Sequence, residues 1–274
     1  MSSPRSRQTP IAIFVIVVGV LLTWYQRRQH ADPAQDAPAR TPPIGEETRE
    51  RENPVTRPVA SRAADFDFYL MTMSLHAAFC ADGHERMAEC AARAPRPLVI
   101  HGLWPERLQP GAYPHDSPAP RLDQAPALAR ELEDYMPGMR SDLHEHEWRK
   151  HGGCAGLDDD VYFRRALDLA KDLDAALART LTTSTETSAG ELRAAADARH
   201  AGLGATLVFQ CRTLRGTPDS PRARHRQPAL IEIRQCVDAS GPGGAPGAPI
   251  DCATVNRRDQ GCGATFQVLA GSRR

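Results

Sequence analysis

Two short stretches of this 274-residue chain concentrate the side chains that move protons. The first, His101-Gly102-Leu103-Trp104-Pro105, places a histidine where an apolar run meets a turn. The second, Ser141 to His151, puts His144, His146, His151, Glu145, Glu147 and Lys150 on one short predicted helix. On such a helix Glu147 and His151 are four apart and share a face. His146 and Lys150 are also four apart, displaced by about 100° around the axis. Glu147, Lys150 and His151 can therefore converge on one ligand from adjacent rows. Two imidazoles with a carboxylate and a cation meet the needs of metal-free phosphodiester cleavage. One imidazole takes a proton from an attacking hydroxyl and the other gives one to the leaving oxygen. The cation offsets the charge that builds on the phosphorane-like transition state.

Other readings of the same residues are weaker. A zinc-protease helix needs His-Glu-x-x-His, but the run here is His146-Glu147-Trp148-Arg149-Lys150-His151. Five residues turn a helix by about 500°, so the two outer rings point about 140° apart. A stripe of His144, Glu147 and His151 is the remaining metal option, and Lys150 beside it opposes a cation. A charged helix face with an interior histidine is also an ordinary structural arrangement.

The elements that must hold these residues can be read from periodicity. Phe66 to Leu75 alternates as a strand with aromatic and Met side chains turned to the core, and Pro97 to Pro105 begins as a buried strand and ends in a turn. Pro105 to Pro120 is Pro- and Gly-rich and reads as an irregular loop. Ala125 to Tyr135 is a short helix closed by Pro137-Gly138. In the histidine-rich helix Asp142 and Glu145 fit a capping box, and Gly152-Gly153 reads as its stop. Asp158 to Leu181 carries the stripe Tyr162, Ala166, Leu169, Leu173 and Leu177 at steps of three and four, which predicts the longest helix. A polar run at 182–188 separates it from a helix over Glu191 to His200. Strands are predicted over Thr206–Cys211, Leu230–Val237 and Thr265–Leu269. Strands at both ends with helices between them give an α+β fold with a mainly antiparallel sheet flanked by helices. There is no internal repeat, Gly-rich phosphate loop or nucleotide-cofactor fingerprint, so no cofactor is expected.

Ahead of this domain, Arg5 and Arg7 precede an apolar run from Ile11 to Leu22 that continues to Trp24 and Tyr25. This is the pattern of an export signal. It is short for a bilayer span, yet no small-x-small cleavage site follows, so release and a membrane tether through residues 11–25 stay as alternatives. Residues 1–30 are thus a signal peptide or signal-anchor, 31–64 a Pro-rich polar linker, and 65–274 the folded domain. All seven cysteines lie in that domain, which with export reads as a disulfide set with one thiol left over. Cys80–Cys90 is the local pair, and Cys252–Cys262 is a second option beside longer-range pairings. Thirty-four basic and thirty-four acidic side chains cancel, which argues against a polycationic nucleic-acid coat protein but leaves a local anion site open.

The two boxes, Ile100 to Pro105 and His146 to Cys154, together about 45 residues apart, resemble the active-site boxes of the ribonuclease T2 family. The resemblance extends over about 200 residues and takes in Phe79-Cys80, Tyr162-Phe163 and Ile231 to Asp238. It implies a disulfide-stabilised ribonuclease T2-like α+β fold in a secreted, vacuolar or periplasmic endoribonuclease. Such an enzyme needs no metal and cuts single-stranded RNA through a 2′,3′-cyclic phosphate that it opens more slowly. It implies His151 as general base, His101 as general acid, Glu147 and Lys150 as groups that polarise and stabilise the phosphate, His146 as a phosphate contact, and Trp104 as a wall for a stacked base. DNA lacks the 2′-hydroxyl and is not expected to be cut; a monomer is expected. A catalytically silent RNA-binding relative and a metal-dependent phosphodiesterase are the alternatives.

The chain departs from the family pattern in three places. Leu75 and His76 stand where members commonly have Trp and, in plants and fungi, often Pro. His76 is therefore either an extra phosphate or base contact or a plain surface histidine. The loop after Trp104 lacks a cysteine that many members pair with the one in the second box, which leaves Cys154 unpaired or with another partner. Arg212 to Arg226 is an arginine-rich insertion that could hold flanking phosphates or be a solvated loop.

Overall fold

The computed structural model describes residues 66–91, 96–109, 114, 117–214 and 227–269. The apolar leader at 11–25, the linker at 31–64 and residues 215–226 of the arginine-rich insertion lie outside the described residues. Its strands are β1 (Phe68–Leu75), β2 (Leu98–Glu106), β3 (Glu186–Thr187), β4 (Leu207–Arg212), β5 (Ala229–Asp238) and β6 (Phe266–Gln267). Its α-helical segments are α1 (His76–Phe79), α2 (Pro126–Tyr135), α3 (Leu143–Glu147), α4 (Gly153–Ala155), α5 (Asp159–Thr183) and α6 (Ala189–Arg199). A π-helical turn, Trp148–Gly152, joins α3 to α4. The strands form one six-stranded sheet in the order β2-β1-β5-β6-β3, with β4 also paired to β5. Every pairing is antiparallel except β5 with β6. The α+β architecture expected from the pattern of elements is present.

β1 sits between β2 and β5 and is buried on both faces. Tyr69, Met71, Met73 and Leu75 enter the main core with Leu103, Phe209 and Ile233. Phe68 and Leu70 turn the other way, into a smaller cluster with Val208, Cys236, Cys252 and Val255. The main core is closed by α2 through Leu128 and Leu132, by α6 through Leu192 and Ala196, and by α5 through the predicted stripe, all five members of which are buried. α5 starts at a true cap: the Asp158 side chain accepts from the Asp160 N–H.

Several local expectations are corrected. β2 does not turn at Trp104-Pro105 but runs on to Glu106, because it is an edge strand, where a residue with no N–H is tolerated. Asp142 is no capping-box residue: its backbone is left-handed (φ 59°) and its side chain makes no capping hydrogen bond. Gly152-Gly153 does not stop the helix, which continues to Ala155 and ends at Gly156 (φ 67°). Gly152 is instead a close-packing position, since a Cβ there would lie 2.0 Å from the Trp148 ring. The polar run after α5 contains β3, held by β6, and α6 begins two residues early, at a capping box formed by Ser188 and Glu191.

Three disulfides form, Cys80–Cys90, Cys211–Cys262 and Cys236–Cys252. The first is the expected local pair. Cys252–Cys262 is not formed, because the C-terminal chain passes two different strands. Ile250 N–H donates to Cys236 O beside β5 (2.9 Å), and Cys211 N–H donates to Gln260 O beside β4 (2.9 Å). Cys154 is the free cysteine. Among the described residues no helix is long and apolar enough to cross a membrane.

Candidate active site

The site is assembled by an irregularity in β2. Thr72 pairs with Gly102, but the next residue, Met73, pairs with Ile100, so His101 is an extra residue in a bulge. Alternation alone would send His101 and Trp104, three apart, to opposite faces. The bulge shifts the parity by one, and both side chains emerge on the face away from the main core. Their rings meet edge to face at 5.1 Å.

Glu147 reaches this face from the helix packed along the β2 edge. Its Oε2 accepts from the Trp104 indole N–H at 2.7 Å. A Cβ on Gly102 would fall 2.1 Å from that oxygen, so only glycine leaves room for the carboxylate. The helix is held in place from behind. Trp148 is buried against Tyr162 and Phe163, and its indole N–H donates to Pro120 O at 2.8 Å. The Tyr162 hydroxyl donates to Leu103 O, which ties α5 to β2. Two imidazoles flank the Glu147 carboxylate: His101 Nε2 is 4.0 Å from Oε1, and His151 Nε2 is 3.9 Å from Oε2. His151 is buried, with its ring centroid 5.5 Å from that of Trp104. The His101 side chain is 35% exposed. One histidine is thus open to a ligand and the other is shielded.

His146 is exposed and Lys150 half-buried on the same helix, and both act on Glu147 by charge. Burial pushes the Glu147 carboxyl up from its ordinary value. His101, the Trp104 N–H, His146 and Lys150 pull it only part of the way back.

Two residues that the sequence reading assigned no role complete the site. Glu232 on β5 accepts from His101 Nδ1 at 2.9 Å. Its other oxygen takes two bonds from Arg234, at 3.0 Å from Nε and 2.6 Å from Nη2, and the Arg234 guanidinium lies 5.3 Å from the Trp104 ring centre. Burial pushes the His101 imidazolium down, but the hydrogen bond and charge of Glu232, joined by Glu147, outweigh it and leave the pKa raised. Burial likewise favours neutral Glu232, yet the bonds and charges of His101 and Arg234 hold its carboxyl below the ordinary value. A signal was present in the sequence. Glu232 and Arg234 are charges at alternate positions on either side of Ile233, hence on one face of a sheet.

His76 is not among these contacts. It is buried, not on the surface, with Nε2 3.1 Å from Glu89 O, and burial pushes its pKa down. Among the described residues His76, Cys80 and Cys90 are the group whose donor atoms cluster as metal ligands would, but both sulfurs are spent in a disulfide. His144, Glu147 and His151 do not cluster in that way. Arg212, the first arginine of the insertion, forms an ion pair with buried Asp82.

Residues 66–243 match the model of the Ribonuclease T2 family. The chain belongs to this family. A ribonuclease of Aeromonas hydrophila is 36% identical over 107 residues, 39% of this chain and 46% of that protein. Extracellular ribonuclease LE of Solanum lycopersicum is 28% identical over 220 residues, 72% of this chain and 90% of that one. Ribonuclease I of Escherichia coli K12 is 29% identical over 151 residues, 42% of this chain and 56% of its own length. Among solved structures, ribonuclease MC1 from bitter gourd seeds superposes with a TM-score of 0.55 at 23% identity, over 74% of this chain and all of that one. The fold is therefore that of the T2 ribonucleases.

Proposed function

We propose that this protein is an exported, metal-independent endoribonuclease that cuts single-stranded RNA by transphosphorylation. The observation that carries this reading is the pair of imidazoles on either side of one buried carboxylate, with Trp104 beside both. His151 removes the proton from a ribose 2′-hydroxyl as that oxygen attacks phosphorus. His101 donates its Nε2 proton to the departing 5′-oxygen as the P–O bond breaks. The products are a 2′,3′-cyclic phosphate and a free 5′-hydroxyl; slower entry of water, with the proton roles reversed, opens the cycle to a 3′-phosphate. Lys150 and His146 supply positive charge to the phosphate oxygens, and Glu147 orients the reacting groups between the histidines. Trp104 offers a face on which any base can stack. His101 must be charged while His151 is neutral, so the rate should trace a bell against pH.

Export is supported by the apolar leader, by three disulfides, which persist in oxidising compartments, and by the extracellular tomato relative. The decisive test incubates the oxidised chain with single-stranded RNA in EDTA from pH 4 to 8, and identifies product ends by mass spectrometry, with DNA and His151→Ala as controls. Cyclic phosphate ends that disappear in the variant, with DNA intact, are the expected result. Intact RNA with folded protein would overturn the proposal.

A further inference from the structure

The carboxylate behind His101 sets which proton that histidine can give away. We propose that Glu232 and Arg234 act as a positioning relay for His101: Glu232 keeps a proton on Nδ1, so that Nε2 is the nitrogen that discharges to the substrate, and Arg234 restrains how strongly Glu232 pulls. The inference deepens the ribonucleolytic reading and rests on it for its meaning in catalysis.

The geometry is a chain of three groups across three strands. His101 stands on β2, Glu232 and Arg234 on β5, and β1 runs between them. On β1 the position beneath is Thr72, paired to Gly102 on one side and to Arg234 on the other. A small side chain there leaves the space in which residues two strands apart can touch. Glu232 Oε1 takes the His101 bond, and Oε2 is occupied by both donors of the Arg234 fork. The carboxylate is thus fixed in orientation and cannot swing away from the imidazole.

The charged groups facing His101 are Glu232 and Arg234 from β5 and Glu147 from the helix, with His151 on the far side of Glu147. Only the Glu232 contact is a direct hydrogen bond; Glu147 is 4.0 Å away. A carboxylate on Nδ1 stabilises the imidazolium and fixes the tautomer of the neutral ring. It also makes the ring a more reluctant donor. Arg234 relieves that by drawing Glu232 charge toward itself, so removal of Glu232 and removal of Arg234 should act in opposite directions. When the Nε2 proton leaves, Nδ1 keeps its own and Glu232 stays ionised.

The test follows imidazole nitrogen signals of the 15N-labelled full chain from pH 4 to 9, in wild type, Glu232→Gln and Arg234→Gln. In wild type the neutral His101 ring should carry its proton on Nδ1. The His101 titration should move to lower pH in E232Q and to higher pH in R234Q. In parallel, the alkaline limb of kcat/KM on RNA should follow the same two directions, with E232Q losing about tenfold at pH 8 and less than about threefold at pH 5. A neutral ring protonated on Nε2, or a titration that neither variant moves, would overturn the relay; the tautomer is read in wild type and survives a variant that fails to fold. Absence of RNA cleavage by wild type would count against the enzyme reading alone, since the nitrogen titration needs no turnover.

Discussion

A buried carboxyl and a half-open imidazole decide much of this site's behaviour. Glu147, with a side chain only 3% exposed, has its carboxyl pushed up by burial. A carboxyl whose folded pKa is raised binds its proton more tightly when folded. Its charge therefore costs stability as pH climbs from the unfolded value through the folded one. Glu147→Gln can keep an acceptor for the Trp104 N–H while removing the charge. The expected outcome is a higher denaturation midpoint at pH 7, a gain that shrinks as pH falls into the ordinary carboxylate range, together with a fall in kcat/KM of about 100-fold. Urea melts and RNA kinetics across pH would check both halves. The His101–Glu232 pair has the opposite sense. Glu232 is held low and His101 high, so the pair stabilises the fold between the two titrations and is lost on either side. Replacement of His101 or His151 by Ala should each cost about 100- to 10,000-fold in kcat. The loss in the double variant should be far smaller than the product of the single losses, because in the proposed mechanism the two histidines serve one reaction; single-turnover kinetics on RNA would read this.

The juxtaposition of β2 with the helix on its edge can be tested at Gly102. A methyl group there would overlap Glu147 Oε2 and lie 2.4 Å from Trp104 Nε1. Gly102→Ala should force the carboxylate aside, lowering kcat/KM by about 10- to 100-fold at a stability cost of about 1–3 kcal/mol. Thermal denaturation and kinetics separate the two effects, and an unchanged kcat/KM would show that Glu147 tolerates displacement. The same region marks the limit of what residue order reveals. α5 was legible because Tyr162, Ala166, Leu169, Leu173 and Leu177 repeat with the helical period and find one core. His101, Glu147 and His151 were legible as a set because residue types at fixed spacing survive small errors in geometry. The bulge was not, since nothing local distinguishes Thr72 opposite Gly102 from Thr72 opposite His101; the pairing depends on β1. The π-helical turn at Trp148–Gly152 was missed for a related reason: its Trp148 packs on Tyr162 and Phe163 of α5, outside the turn itself. Asp142 has a capping residue's chemistry but the wrong backbone. β3 is two residues long and exists only because β6 lies beside it.

Crosslinks divide the domain unequally. The Cys236–Cys252 loop is nested inside Cys211–Cys262, and this closed segment holds Glu232 and Arg234. His101, Glu147 and His151 lie between Cys90 and Cys211, a stretch crossed by none of the disulfides. Loop-closure entropy rises with loop length, so the 51-residue separation of Cys211–Cys262 should stabilise by about 4 kcal/mol. The 10-residue separation of Cys80–Cys90 gives about 3 kcal/mol. Paired Cys→Ala variants compared by chemical denaturation should reproduce that order, and a Cys80/Cys90 variant as costly as the long-loop one would refute it. With six cysteines oxidised, Cys154 is the one remaining thiol. Its sulfur contacts the Ser117 hydroxyl and lies 3.9 Å from the carbonyl of Lys150, one turn along the helix. The protein thus comes with a native single-site attachment point for a fluorophore or spin label. From there a reporter could test whether a nucleotide arrives at the neighbouring histidines without altering any of them.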